Sequence, residues 1–396
     1  MIPYGKQSID QQDIEAVVRV LESGMLTTGP LVEEFEKAFA AKVGAEHAVV
    51  VSNATAALHL AMLVAGIGEG DRVVTSPNTF LASANCAAYV GAIPDFSDID
   101  PVTYNLCPKA LADTWKTDTK AVVAVAYAGQ SADLPAITKV AHRHGAIVIE
   151  DACHGTGGGF EHGGKSYKLG GHPWADMTTF SFHPVKTMTT GEGGILVTNN
   201  AEYAQKARLL RSHGVERSAD KFLGLGSSKG TLTEKGPWYY EMQSLGYNFR
   251  ITDFQCALGL SQLSKIDGFI ERRQEIVATY NRELSNLENL TTPGLHHQGN
   301  ELEISWHLYT VLINFEKIGM SRSEVMAEMR KHGVGSQVLY IPVYLQPFYR
   351  ENYGYKEGKC PTAEWYYEHC LSLPLYPSLT DDDVESVVKC VKKLTT

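Results

Sequence analysis

Residues 121–151 read AVVAVAYAGQSADLPAITKVAHRHGAIVIED, and this stretch decides the fold. The apolar run at 121–127 has the length of a buried strand, and no polar residue interrupts it. Asp133 then stands as an N-cap, Pro135 falls near the first helical position, and a helix runs to Gly145. A second apolar run, 146–151, ends on Glu150-Asp151. Strands that lack polar alternation are covered on both faces, as in a mostly parallel sheet with helices on either side.

The same alternation extends in both directions. Upstream, helical periodicity over 10–22 ends at Gly24, and Pro30 opens a helix that Gly44 stops. Strands at 48–51, 72–75 and 93–96 alternate with helices at 56–65, 81–90 and 108–115. Downstream, strands at 177–182 and 195–198 precede a helix at 201–211. Residues 212–238 read as a long polar loop with a functional use. A helical pattern over 252–284 is expected to bend near Asp267-Gly268. Beyond it come a strand at 306–315, a helix capped by Ser321 and Glu324, a strand at 338–343 and a last helix from Thr380. The expected architecture is α/β. It comprises a large α/β/α sheet domain over 1–249 and a smaller C-terminal α+β domain over 250–396.

Composition narrows the function. The formal charge of −10 argues against nucleic acid as a partner, while a local phosphate pocket remains compatible with it. No run of eighteen apolar residues is present, so no membrane span is expected, and residues 1–6 lack the apolar core of a secretory signal. Cys86, Cys107, Cys153, Cys256, Cys360, Cys370 and Cys390 never fall in C-x-x-C spacing. They read as reduced thiols of a cytoplasmic protein, neither disulfides nor zinc ligands, and no metal site is expected.

Ligands of open parallel sheets sit at the carboxyl ends of the strands. Three candidates occupy such places. Ser52-Asn53-Ala54-Thr55 joins a strand to a helix and can hold a phosphate on backbone amides. Asp151 ends a buried strand, where a carboxylate needs a cationic or hydrogen-bonded partner. Lys186 lies within Ser181-Phe182-His183-Pro184-Val185-Lys186-Thr187-Met188-Thr189-Thr190-Gly191-Glu192-Gly193-Gly194, between two core strands, where poor hydration lowers an amine's pKa. A lone loop lysine is an ordinary surface residue. Together, however, an anion cradle, an acid and an activated amine are what pyridoxal 5'-phosphate (PLP) requires.

With those motifs in place the chain resembles the DegT/DnrJ/StrS sugar aminotransferases, fold-type I PLP enzymes. The likeness also includes Gly24-Met25-Leu26-Thr27-Thr28-Gly29-Pro30, Glu150-Asp151-Ala152-Cys153-His154, Gly246-Tyr247-Asn248-Phe249-Arg250 and Leu373-Pro374-Leu375-Tyr376-Pro377. The resemblance implies that Lys186 is the Schiff-base lysine and proton carrier, and that Asp151 is the partner of the pyridine nitrogen. It makes Ala54, Thr55 and Ser181 the phosphate cradle and Phe80 the ring-stacking aromatic. His154 would lie near the ring face. Asn248 would reach the phosphate of a neighbouring subunit, which implies a homodimer with shared active sites. His183, His213, His307 and Tyr309 stand beside the motifs as candidates for substrate contact. The subgroup most resembled works in pseudaminic acid biosynthesis, so the expected substrates are a UDP-linked 4-keto-6-deoxy sugar and L-glutamate. One departure stands out: Leu339-Tyr340-Ile341-Pro342 replaces the usual His-Tyr-x-Pro.

Other patterns lead elsewhere and lack their context. Residues 159–166 match G-x-x-x-x-G-K-S, yet no helix can follow them through Gly170, Gly171 and Pro173, so a β-hairpin is expected. Residues 95–100 lack the glycine and terminal glutamate of a calcium loop. The glycines at 66–70 follow a helix and not a strand, against a dinucleotide fingerprint. A sugar dehydratase on the same scaffold would carry histidine in place of Lys186.

Overall fold

The computed structural model describes residues 1–224, 236–295 and 303–395. Its large sheet contains β1 (His47–Val51), β2 (Arg72–Thr75), β3 (Ile93–Phe96), β4 (Thr119–Val125) and β5 (Ile147–Asp151). A hairpin of β6 (Gly159–His162) and β7 (Lys165–Lys168) separates these from β8 (Met177–Ser181) and β9 (Gly194–Thr198). The strand order is β1-β9-β8-β5-β4-β2-β3, with only β9 antiparallel to its neighbours. The hairpin expected at 159–166 is present.

The strands of the large sheet are buried on both faces, which explains why the sequence shows no alternation. Val49, Val51, Ile149 and Leu196 face a layer built by α3 (Ala54–Ala65), α4 (Ala82–Tyr89) and α7 (Ala201–Arg211); the other helices near the sheet include α5 (Pro108–Asp113), α6 (Leu134–Arg143) and α8 (Asp253–Leu284). Val50, Phe180, Ile195 and Val197 point the other way, onto Phe35 and Phe39 of α2 (Pro30–Val43) and Cys256 and Leu263 of α8. Val122, Ala124 and Val148 meet Leu134, Ile137 and Ala141 of α6. Removing one such aromatic, Phe39 for example, costs about 3–5 kcal/mol through lost burial and the cavity left behind.

The first helix, α1 (Gln11–Leu21), carries an Asp10 capping box, and buried Asp13 ties it to α8 through Ser261 and Gln262. Helix α8 runs unbroken through Asp267 and Gly268, so the expected bend there is not a helix break. Its N-terminal half belongs to the sheet core, and its Ile276, Val277, Tyr280 and Leu284 belong to the core of a second sheet. That sheet orders β12 (Leu290–Thr291), β13 (Tyr309–Ile313) and β14 (Cys370–Leu373) antiparallel, with α9 (Arg322–Lys331) and α12 (Asp381–Thr395) against it. The Ser321–Glu324 capping box forms as read from the sequence.

Three expectations are corrected, and two elements had not been expected. The strand placed at 306–315 is confined to Tyr309–Ile313. Residues 338–343 form no strand: only Gln337 bridges to Ser372, and the chain turns into α10 (Pro347–Tyr353). The helix α11 (Pro361–His369) and strand β14 had no counterpart in the sequence reading. The polar stretch after α7 contains β10 (Val215–Glu216), paired with β11 (Glu241–Met242), while its part at 225–235 lies outside the described residues.

Candidate active site

Strand register gathers the site. Ser181 at the end of β8 pairs with Gly194 at the start of β9, and Gly194 pairs with Val51 at the end of β1. On the other side of β8, Asp151 pairs with Thr179. The loop carrying Lys186, the carboxylate of Asp151 and the N-terminus of α3 therefore share one edge of the sheet.

At α3 the Asn53 side chain caps the helix by accepting from the Ala56 amide at 2.8 Å. The cap leaves the first-turn amides of Ala54 and Thr55 to another acceptor. Gly194 keeps this end open. A Cβ there would lie 2.7 Å from Ala54 Cα and closer still to Ala54 N and the Asn53 carbonyl carbon.

Asp151 is buried. Its Oδ2 accepts from Ser83 Oγ at 2.6 Å and its Oδ1 from the Cys153 amide at 3.2 Å. Ser83 in α4 contacts the Thr79 hydroxyl at 2.7 Å. Cys153 lies in the same pocket, and burial, reinforced by Asp151, pushes its thiol pKa well up.

Lys186 follows β8 in a tight turn, its amide donating to the His183 carbonyl. The side chain is partly buried, with its amino end enclosed by protein atoms. Burial holds its pKa below the usual lysine range, opposed by the nearby Cys153 and Asp151. Lys186 Nζ stands 3.5 Å from His307 Nε2. The His307 ring is 4.5 Å from that of His154, centroid to centroid. His154 Nδ1 accepts from the Ala128 amide at 3.3 Å, which leaves the ring proton on Nε2, 3.3 Å from the Tyr340 hydroxyl. Burial drives both histidines' pKa values well below the ordinary range, and Lys186 adds to the effect. Both rings are therefore neutral at neutral pH.

Behind them, Arg273 is fully buried and donates to the carbonyls of Trp306, His307 and Leu375. Burial lowers its pKa to about 10. The guanidinium thereby pins the segment that carries His307 to the turn after β14.

The structure thus brings together Asp151, His154, Ser181, Lys186, His307 and the start of α3. Phe80, between β2 and α4, is 57% exposed. His183 is exposed beside Ser181, whose hydroxyl accepts from its amide at 3.4 Å. Asn248 forms a backbone bridge with Ser212, in a segment whose Phe249 carbonyl accepts from the Ser52 amide. His213 is exposed at a left-handed turn, with φ of 64°. Tyr309 is corrected: it is fully buried in the second core and donates its hydroxyl to Asn281 Oδ1 at 2.7 Å, so it does not face Lys186. The sequence reading missed Ser83 and Thr79, although both follow β2 at the carboxyl edge, where that rule directs attention.

Comparison with known proteins accords with this arrangement. The model of the DegT/DnrJ/EryC1/StrS aminotransferase family matches residues 7–392. The chain belongs to this family. Among its relatives, the spore coat polysaccharide biosynthesis protein SpsC of Bacillus subtilis is 42% identical over 394 residues, covering 99% of this chain and 97% of that protein. Among solved structures, Helicobacter pylori PseC, an aminotransferase involved in the biosynthesis of pseudoaminic acid, superposes with a TM-score of 0.87. It is 30% identical, with 100% of this chain and 99% of that chain covered. Spr1654 from Streptococcus pneumoniae, assigned as a sugar aminotransferase and solved in a PLP form, gives a TM-score of 0.87 at 27% identity. That match covers 100% of this chain and 98% of the other. The fold is accordingly that of the fold-type I aminotransferases.

Proposed function

We propose that this family member is a PLP-dependent aminotransferase that moves an amino group from L-glutamate to a 4-keto-6-deoxy nucleotide sugar. The observation that carries the reading is the shared sheet edge, where buried Asp151, the enclosed Lys186 amine and the open N-terminus of α3 converge. These residues fit the cofactor. The α3 amides of Ala54 and Thr55, with Ser181, would hold its phosphate, Asp151 its ring nitrogen and Lys186 its aldehyde carbon. When bound, the cofactor supplies the electron sink for breaking the donor's Cα–H bond.

The chain's own residues supply the rest. Burial depresses the Lys186 pKa, so a larger share of the amine is unprotonated at neutral pH and able to act as nucleophile and base. His307 Nε2 is placed to take or return a proton at Nζ. His154 presents its Nε2 proton toward Tyr340 and holds that hydroxyl in the pocket. The buried walls keep water away and strengthen each of these interactions.

Within this reading, the UDP-linked sugar of the pseudaminic acid route is the substrate favoured by the likeness to PseC. A different keto nucleotide sugar, destined for a polysaccharide, is the second reading. It is favoured by the higher identity to SpsC and by Leu339 where a histidine is usual. Asn248 would complete the phosphate site of a second copy, and the active unit would be a homodimer. The test is to incubate the protein with PLP, glutamate and a panel of UDP-, dTDP- and GDP-linked 4-keto sugars. Mass spectrometry should then find one aminated product that Lys186→Ala does not make; amination of none, with PLP bound, refutes the sugar assignment.

A further inference from the structure

We propose that Thr79 and Ser83 form a directed hydroxyl relay that orients Asp151 and keeps a shared proton on its partner. The consequence rests on the cofactor reading above, because it is felt at the ring nitrogen Asp151 would hold. The direction of the relay follows from counting protons. An ionised carboxylate only accepts, and a hydroxyl has one proton to give. Ser83 donates its proton to Asp151 Oδ2 at 2.6 Å, so at the 2.7 Å contact Thr79 donates to Ser83. Thr79 and Ser83 are 3% and 1% exposed, so water does not replace either hydroxyl.

The second carboxylate oxygen accepts the Cys153 amide. Donors from α4 on one side and from the turn after β5 on the other fix the plane of the carboxylate. They also spread its charge and weaken its hold on a proton shared with an aromatic nitrogen. The proton then stays on the ring, where it is useful. The titratable groups that share the surroundings of Asp151 are Lys186, Cys153, Cys86 and Tyr340, and a change at Ser83 removes none of them. Ser83 is therefore a positioning residue, acting through Asp151.

The experiment loads wild type, Ser83→Ala, Ser83→Thr, Thr79→Val and Asp151→Asn with PLP labelled with nitrogen-15 in the ring. It records the ring-nitrogen NMR shift, the single-turnover rate with glutamate and the melting temperature. Wild type and Ser83→Thr should show a protonated ring. Ser83→Ala should move the signal toward the unprotonated position and slow the half-reaction by about tenfold, the effect of one hydrogen bond to a charged group. Thr79→Val should move it in the same direction by less. A wild-type signal and rate in Ser83→Ala, while Asp151→Asn shifts both, would overturn the relay and leave the cofactor reading standing. If the protein takes up no PLP, or Asp151→Asn leaves the signal in place, the cofactor reading fails and the relay with it.

Discussion

Replacing Gly194 by alanine tests the site through its backbone and leaves every chemical group in place. The added Cβ would lie 2.7 Å from Ala54 Cα. Carbon atoms rest at about 3.5 Å or more, so the start of α3 must retreat by about 1 Å. The obstacle is backbone and cannot rotate away, and overpacking of this kind costs about 1–3 kcal/mol. We predict a melting temperature lowered by several degrees. The larger effect falls on the phosphate. Displacing the Ala54 and Thr55 amides weakens at least one hydrogen bond to a charged group, about 1.5–3 kcal/mol, which is about a tenfold to hundredfold rise in the dissociation constant for PLP. Absorbance titration of the cofactor-free protein measures that constant, and pyridoxal without its phosphate serves as the comparison ligand. Its affinity should change far less. Gly268→Ala is the control, since nothing lies within 4 Å of a Cβ there, and a helix-interior alanine should leave PLP binding alone and raise stability slightly. A Gly194→Ala protein that binds PLP as tightly as wild type would refute the reasoning.

Three further outcomes are expected. Asp151→Asn should keep bound PLP yet lose at least about a hundredfold in the glutamate half-reaction, followed by the change in cofactor absorbance, because a charge-assisted bond of about 3 kcal/mol in a dry site is lost. Mixing inactive Lys186→Ala with inactive Asn248→Asp subunits should restore part of the activity after verified exchange, since one hybrid site carries neither change; no recovery would count against a shared site. His154 and His307 are buried with pKa values held below their unfolded value near 6.5, so the unfolded chain binds more protons below that pH. Their contribution to stability should be complete above about pH 6.5 and fall as the pH drops below it. In thermal melts of the cofactor-free protein, His307→Gln should flatten that decline; an unchanged slope would mean that the ring is already charged in the fold.

Local pattern alone determined the layered sheet, because strand burial, caps and glycine stops are written within a few residues of each element. The apolar runs at 121–127 and 146–151 became β4 and β5, and Asp133 caps α6 as its sequence implies. The placement of Asp151 and Lys186 at strand ends was legible for the same reason. Between residues 338 and 373 the pattern failed. Tyr340 and Ile341 look like strand residues, yet the Tyr340 hydroxyl meets His154, and the Leu339 carbonyl accepts from Tyr127, which also meets Tyr366, instead of joining a ladder. Tyr309 stands two residues after His307, a spacing that a regular strand would put on one face, yet β13 begins only at Tyr309, and the two side chains meet different partners, Asn281 and Lys186. What only the tertiary structure decided is the company each group keeps. Ser83 meets Asp151 across 68 positions and His307 meets Lys186 across 121. No local periodicity encodes such meetings, because they follow from sheet register and from α8 joining two cores.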